Sequence, residues 1–116
     1  MKLLNQSLVA CYVEAVAETY DLARKFGIAK TDMFNVISAS WGDSPVFRHF
    51  IKVMSTKKFR GGATIKTIDK DVSIILRNAD KIGAKMALLR LVHRQFSHAL
   101  SRGFGGMDAA VLFMTL

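Results

Sequence analysis

Residues 68–83 read IDKDVSIILRNADKIG. Ile68, Val72, Ile75, Leu76, Ala79 and Ile82 recur at intervals of three and four, which gathers them on one side of a helix. Gly83 then supplies a stop, because glycine accepts the left-handed backbone angle at which many helices end. Downstream, Leu88, Leu89, Val92, Phe96, Ala99 and Leu100 repeat the pattern before Gly103, and the turn Gly103-Phe104-Gly105-Gly106 leads into a short apolar final helix. Upstream, Arg60-Gly61-Gly62-Ala63 predicts a loop, since paired glycines are costly inside a helix. Ser44-Pro45 is a helix-start pair, the serine capping free amides and the proline suiting the first helical position, and that helix is expected to run to about Met54. Thr31 is the expected cap of a shorter helix carrying Met33, Phe34 and Ile37, which Ser40-Trp41-Gly42 would end. From Lys2 to Phe26, Leu4, Leu8, Cys11, Ala15, Leu22 and Phe26 keep roughly helical spacing, with Gly27 as terminator.

The period-two alternation of strands is almost absent. An all-α fold follows: a bundle of about six helices with a long first helix, forming one domain over residues 1–116. A chain of 116 residues is the size of one domain with one core. With 51% hydrophobic and 22% charged residues it has a globular composition, and a lone proline with no long polar stretch argues against a dividing linker. The apolar runs fall short of the ~20 residues a membrane-spanning helix needs. Met1-Lys2-Leu3-Leu4 and Leu8-Val9-Ala10-Cys11 imitate a lipoprotein leader, but Asn5, Gln6 and Ser7 interrupt the apolar stretch such a leader requires. A single cysteine forms no internal disulfide, so Cys11 is expected to be a small core residue and the setting cytoplasmic.

A net charge of +8 and a pI near 10.0 raise the question of a nucleic-acid partner. Lys52, Lys57, Lys58, Arg60, Lys66 and Lys70 crowd the middle of the chain. Only Phe59 and Phe96 interleave with the basic residues, so no series of aromatic platforms for stacking bases emerges. A solvated basic face is the expectation, with a small basic helical nucleic-acid- or protein-binding module over Lys52 to Lys70 as the alternative.

Several chemistries lack their residues. No Gly-x-Gly-x-x-Gly is present, so no dinucleotide is expected to bind to this chain alone. His49, His93 and His98 lack the i, i+4 spacing that places two imidazoles on one helical face, and no metal site is expected. No serine or cysteine stands in a nucleophile-elbow context. What remains is a polar cluster, Lys2-Leu3-Leu4-Asn5-Gln6, and a charged pair, Lys70-Asp71. Lys2 falls in the first turn of a helix, where the dipole disfavours a cation, and an amine so placed beside amide side chains suits proton exchange with a hydroxyl. An ordinary surface lysine fits the same spacing. Lys70 lies about 200° from Ile68 at 100° per residue, away from the core stripe.

In their order along the chain these features resemble the β-hydroxyacid dehydrogenase family, which includes 3-hydroxyisobutyrate dehydrogenase and tartronate semialdehyde reductase. Lys2-Leu3-Leu4-Asn5-Gln6 is similar to that family's Lys-x-x-Asn-Asn/Gln signature opening a long helix, with Glu14-Ala15 further along it. Gly61-Gly62 leading to Lys70-Asp71 is the second match, and Gly103-Phe104-Gly105 followed by Asp108 resembles the closing Gly-x-Gly-x-x-Asp pattern. Gln6 stands where many members carry a second asparagine, and Ala63 where several carry an aromatic residue.

The resemblance implies the C-terminal helical domain of a 6-phosphogluconate dehydrogenase-like enzyme, inactive by itself. The implied reaction is oxidation of a small 3-hydroxy acid, or its reversal, with NAD or NADP held together with an N-terminal Rossmann domain outside this chain. By that resemblance Lys2 is the acid-base lysine, Asn5 and Gln6 orient the substrate oxygen's surroundings, Lys70 reaches the cofactor and Asp71 fixes Lys70 by hydrogen bonding. A homo-oligomer is implied as well.

Overall fold

A computed structural model describes all 116 residues, Met1–Leu116. Five α-helices follow one another: α1 (Lys2–Lys25), α2 (Lys30–Ser38), α3 (Pro45–Thr56), α4 (Ile65–Ile82) and α5 (Ala87–Ser101). A 3-10 helix, Ala109–Thr115, closes the chain. There is no strand, only one isolated antiparallel bridge between Thr64 and Asp108. The fold is thus the six-element, all-helical arrangement expected, and no helix is long and apolar enough to cross a membrane.

Local chemistry sets most of the ends. Ser44 Oγ accepts the Phe47 amide at 2.9 Å with Pro45 in the first turn, and Thr64 Oγ1 accepts the Thr67 amide at 3.2 Å, so α3 and α4 each begin on a hydroxyl cap. Gly83 ends α4 at φ 73, as its position predicts. One cap differs from expectation. α2 begins at Lys30 behind Ala29, with no side-chain cap, and Thr31 lies inside the first turn. α3 continues one turn fraction past Met54, to Thr56, because Lys57 adopts the left-handed conformation at φ 56 that a glycine would more readily take.

α1 runs through the middle and touches every other element. Its buried seam is Ala10, Val13 and Ala17, all fully inaccessible, and the small alanines let neighbouring helices approach its backbone. Around it close Phe50, Ile51 and Met54 of α3, Ile65, Ile68 and Val72 of α4, and Leu89, Val92 and Phe96 of α5. The last helix lies in this core, with Val111, Leu112 and Phe113 buried and the Phe113 ring 5.0 Å from that of Tyr20.

The apolar spacing read along the first helix does not mark its buried side. Leu4 is 65% exposed and Phe26 71%, Leu8, Ala15 and Leu22 are exposed too, and Cys11 is half-buried rather than a core residue. At 100° per residue that stripe is centred about 160° from the seam of Ala10, Val13 and Ala17. α1 carries two apolar sides, and the rest of this chain covers one. At the facing ends of α4 and α5, Ile82 and Leu88 are likewise exposed although both belong to the expected stripes.

Candidate functional site

The seam of α1 runs backwards from Ala17 through Val13 and Ala10 to Gln6 and then Lys2, each step three or four residues and therefore on one side of the helix. Where the core ends, the seam turns polar. There Gln6 Nε2 donates to Asp71 Oδ2 of α4 at 3.1 Å, across 65 positions of sequence. Both side chains are partly buried, while Lys2, Asn5 and Lys70 are exposed. The structure therefore joins one member of the polar cluster, Gln6, to one member of the charged pair, Asp71, although the two stand far apart in sequence.

Asp71 turns to Gln6, not to Lys70. Successive residues on a helix project about 100° apart and do not face one another, so a carboxylate cannot hold the neighbouring ammonium while it also meets α1. The ion pairs of the chain join Asp21 to Arg24 and Lys25, Asp43 to Arg48, Asp80 to Arg90, and Asp108 and Asp69 to histidines. Lys2 and Lys70 enter none of them and stay available to an anionic group. Five surface grooves are lined by other residues, and Lys2, Asn5, Gln6, Lys70 and Asp71 line none of these. The site is an open face, chemically equipped but without a far wall. No group of three or more His, Cys, Asp or Glu side chains is placed to hold a metal.

The glycine pair and the closing motif meet each other. Gly62, at φ 66, lies so close to the Asp108 carboxylate that a Cβ there would overlap Oδ2. Asp108 is buried, accepts the Ala110 amide at 2.9 Å to cap the last helix, and lies 3.8 Å from His49 Nε2. Backbone bonds sew the two loops together: Ala109 donates to Ala63, Ile65 to Met107 and Lys66 to Gly105, each at 2.9 Å. This clasp sets where α4 begins, and hence where Lys70 and Asp71 stand. Gly62→Ala is expected to cost about 2 kcal/mol or more, because alanine suffers both in the left-handed region and from the overlap. Urea denaturation reads it; an unchanged midpoint would contradict the clasp.

Two clusters lie outside the site residues expected from the sequence. His93 Nε2 lies 3.1 Å from Ser73 Oγ and 3.2 Å from Asp69 Oδ1, the residue types of a hydrolytic triad. Both contacts use the same ring nitrogen, whereas a triad needs the hydroxyl on one nitrogen and the carboxylate on the other, so this is a brace between α4 and α5. Glu14, in contrast, is only 6% exposed, and no donor of the chain other than a proton shared with Glu18 meets its carboxyl oxygens. Burial first, then the neighbouring Glu18 carboxylate, pushes its pKa up to about 7. A glutamate among Val13, Ala15, Val16 and Ala17 was a visible signal, since a charge inside an apolar run must be turned out or buried. Burial also raises the Cys11 thiol, which removes any claim to a reactive thiolate.

The sequence pattern of the family described as NAD-binding of NADP-dependent 3-hydroxyisobutyrate dehydrogenase matches residues 1–115. Among individual proteins, the chain is 28% identical over 106 residues to an uncharacterized oxidoreductase, YfjR, of Bacillus subtilis, covering 90% of this chain and 37% of that protein. It is 25% identical over 108 residues to L-threonate dehydrogenase of Cupriavidus necator, covering 93% and 36%. Its fold matches the crystal structure of 3-hydroxyisobutyrate dehydrogenase from Salmonella typhimurium with a TM-score of 0.93 at 21% identity, over 99% of this chain and 40% of that one. The Mycobacterium tuberculosis 3-hydroxyisobutyrate dehydrogenase gives 0.90 at 20% identity, over 98% and 41%. The chain thus spans well under half the length of each of these proteins.

Proposed function

The chain belongs to the family described as NAD-binding of NADP-dependent 3-hydroxyisobutyrate dehydrogenase, and on that premise we propose that it is the helical half of an NAD(P)-dependent 3-hydroxy acid dehydrogenase. The observation that carries this reading is the Gln6–Asp71 bond, which ties the polar first turns of α1 to α4 at the position after Lys70. A Rossmann domain, in this proposal, supplies the opposite wall and the glycine-rich turn that these 116 residues lack.

The residues fit an anionic dinucleotide, because Lys70, next to Asp71 on α4, is exposed and enters no ion pair. When bound, the nicotinamide supplies the hydride acceptor or donor. Lys2 takes the proton of the substrate hydroxyl during oxidation and returns it during reduction. Gln6, held by Asp71, keeps the first turn of α1 at a set distance from α4 and so positions Lys2. Asn5, one residue earlier and exposed, offers an amide to the substrate. Lys70 meets the cofactor from the helical side.

The exposed apolar side of α1, with Leu8, Tyr12, Leu22 and Phe26, supports a homo-oligomer, since an apolar strip of this kind is usually covered. We assign the enzyme to the cytoplasm, where a lone cysteine stays reduced. The test is complementation. With NAD+ or NADP+ and either 3-hydroxyisobutyrate or L-threonate, the 116-residue chain alone should form no reduced cofactor, and the enzyme joined to its Rossmann domain should form it. Reduced cofactor from the chain alone would overturn the division of labour; none from the joined enzyme with any 3-hydroxy acid would overturn the activity.

A further inference from the structure

Two turns of α1 beyond Gln6 a second site appears, separate from the polar face. A groove of about 450 Å3 opens between α1 and α5. Glu14 and Glu18 line it from α1; Leu88, Leu91, Val92 and Arg94 line it from α5. Twelve helical residues separate Lys2 from Glu14, about 18 Å along the axis.

We propose that this groove binds a small organic cation, an alkylammonium whose charged end meets Glu14 and Glu18 and whose hydrocarbon lies on Leu88, Leu91 and Val92. The first ground is the orphan carboxyl. Glu14 is buried, its only polar neighbour is a second carboxyl, Glu18, and no amide, hydroxyl or cation of the chain meets its oxygens, so its ionised form has lost water without gaining a donor. The second is the sign of the charge nearby. Glu18 stands one helical turn on and repels it, while Arg94, on the same groove, pairs with neither glutamate.

The third ground is the wall. Leu88 and Leu91 are large apolar side chains more than half exposed on a helix whose other face is well buried. A guest without a donor would leave the carboxyls unpaired, a neutral donor would not offset their charge, and an anion would meet Glu14 and Glu18 as well as Arg94. A metal ion would find two carboxylates where a hard cation takes six or more oxygens. An ammonium joined to an apolar body meets all three features at once.

The titratable and charged groups lining the groove are Glu14, Glu18 and Cys11 on α1 and Arg94 on α5. Because Glu14 holds a proton up to about pH 7, a cation binds best once that proton has left. Affinity should therefore rise by about tenfold from pH 6 to pH 8.

The experiment titrates the 116-residue chain with n-hexylammonium chloride, using n-hexanol and hexanoate as comparators, and follows backbone amides by NMR. Saturable shifts confined to residues 11–18 and 88–95, tighter for the ammonium than for the alcohol and increasing with pH, are expected. Glu14→Gln should weaken binding by about tenfold and flatten its pH dependence. Leu91→Lys provides an ammonium from the chain itself, on an exposed position of α5, and should block the added ligand; it decides the matter even if Glu14→Gln fails to fold. Equal binding of hexanol and hexylammonium, an undisturbed affinity in either folded variant, or no saturable binding would overturn the proposal.

Discussion

In the proposed dehydrogenase, assembled with a Rossmann domain, Lys2→Ala is expected to lower kcat by about 100-fold or more, the range for loss of a proton-transfer group. The placement of Lys2 is the reason. It continues the seam of Gln6, Ala10, Val13 and Ala17, and the Gln6–Asp71 bond holds that end of α1 against α4. No carboxylate of this chain neutralises it. Lys2→Arg should fare little better than alanine, since a guanidinium does not release its proton near neutrality and so cannot act as a base. Steady-state formation of reduced cofactor measures both variants. Turnover near that of the unaltered enzyme would remove Lys2 from the reaction.

The second large effect concerns stability. Glu14 in an unfolded chain titrates near 4.5 and in the folded chain at about 7, so folding favours the protonated form. Its contribution is fully present below about pH 4.5 and is lost as pH rises through 7, because ionising the carboxyl then sets a charge inside the fold. The difference is on the order of 3 kcal/mol. Glu14→Leu removes the titration. Compared with the natural chain, the variant should therefore gain on the order of 3 kcal/mol between pH 4.5 and pH 8. Denaturation by urea at both pH values gives the comparison; a stability difference that stays constant with pH would show that Glu14 titrates normally.

These two residues show how differently the sequence exposes its candidate functional groups. Lys2, Asn5, Gln6, Lys70 and Asp71 stand in two short motifs, and the order of those motifs along the chain is enough to bring them under one resemblance. Their arrangement is another matter. Asp71 was expected to fix Lys70 and instead bonds Gln6, because the side of α4 that carries Asp71 is pressed against α1. Gly62 and Asp108 belong to separate motifs 46 positions apart, and their contact becomes visible only where the two loops close on each other. Glu14 passed without a role because spacing says nothing of whether a carboxylate has found a partner.

What the sequence determined by itself is the start of α3 and the end of α4. Ser44 and Gly83 act on amides and carbonyls within a few residues of themselves, and such local chemistry needs no distant partner. Which side of a helix is buried is a different kind of quantity. α1 has apolar residues on two opposed sides, and the side holding Ala10, Val13 and Ala17 became core because α3, α4, α5 and the last helix cover it. Burial is a property of what packs against a surface, so only the tertiary structure could choose between the two sides, join Gln6 to Asp71 and leave Glu14 with no partner but Glu18.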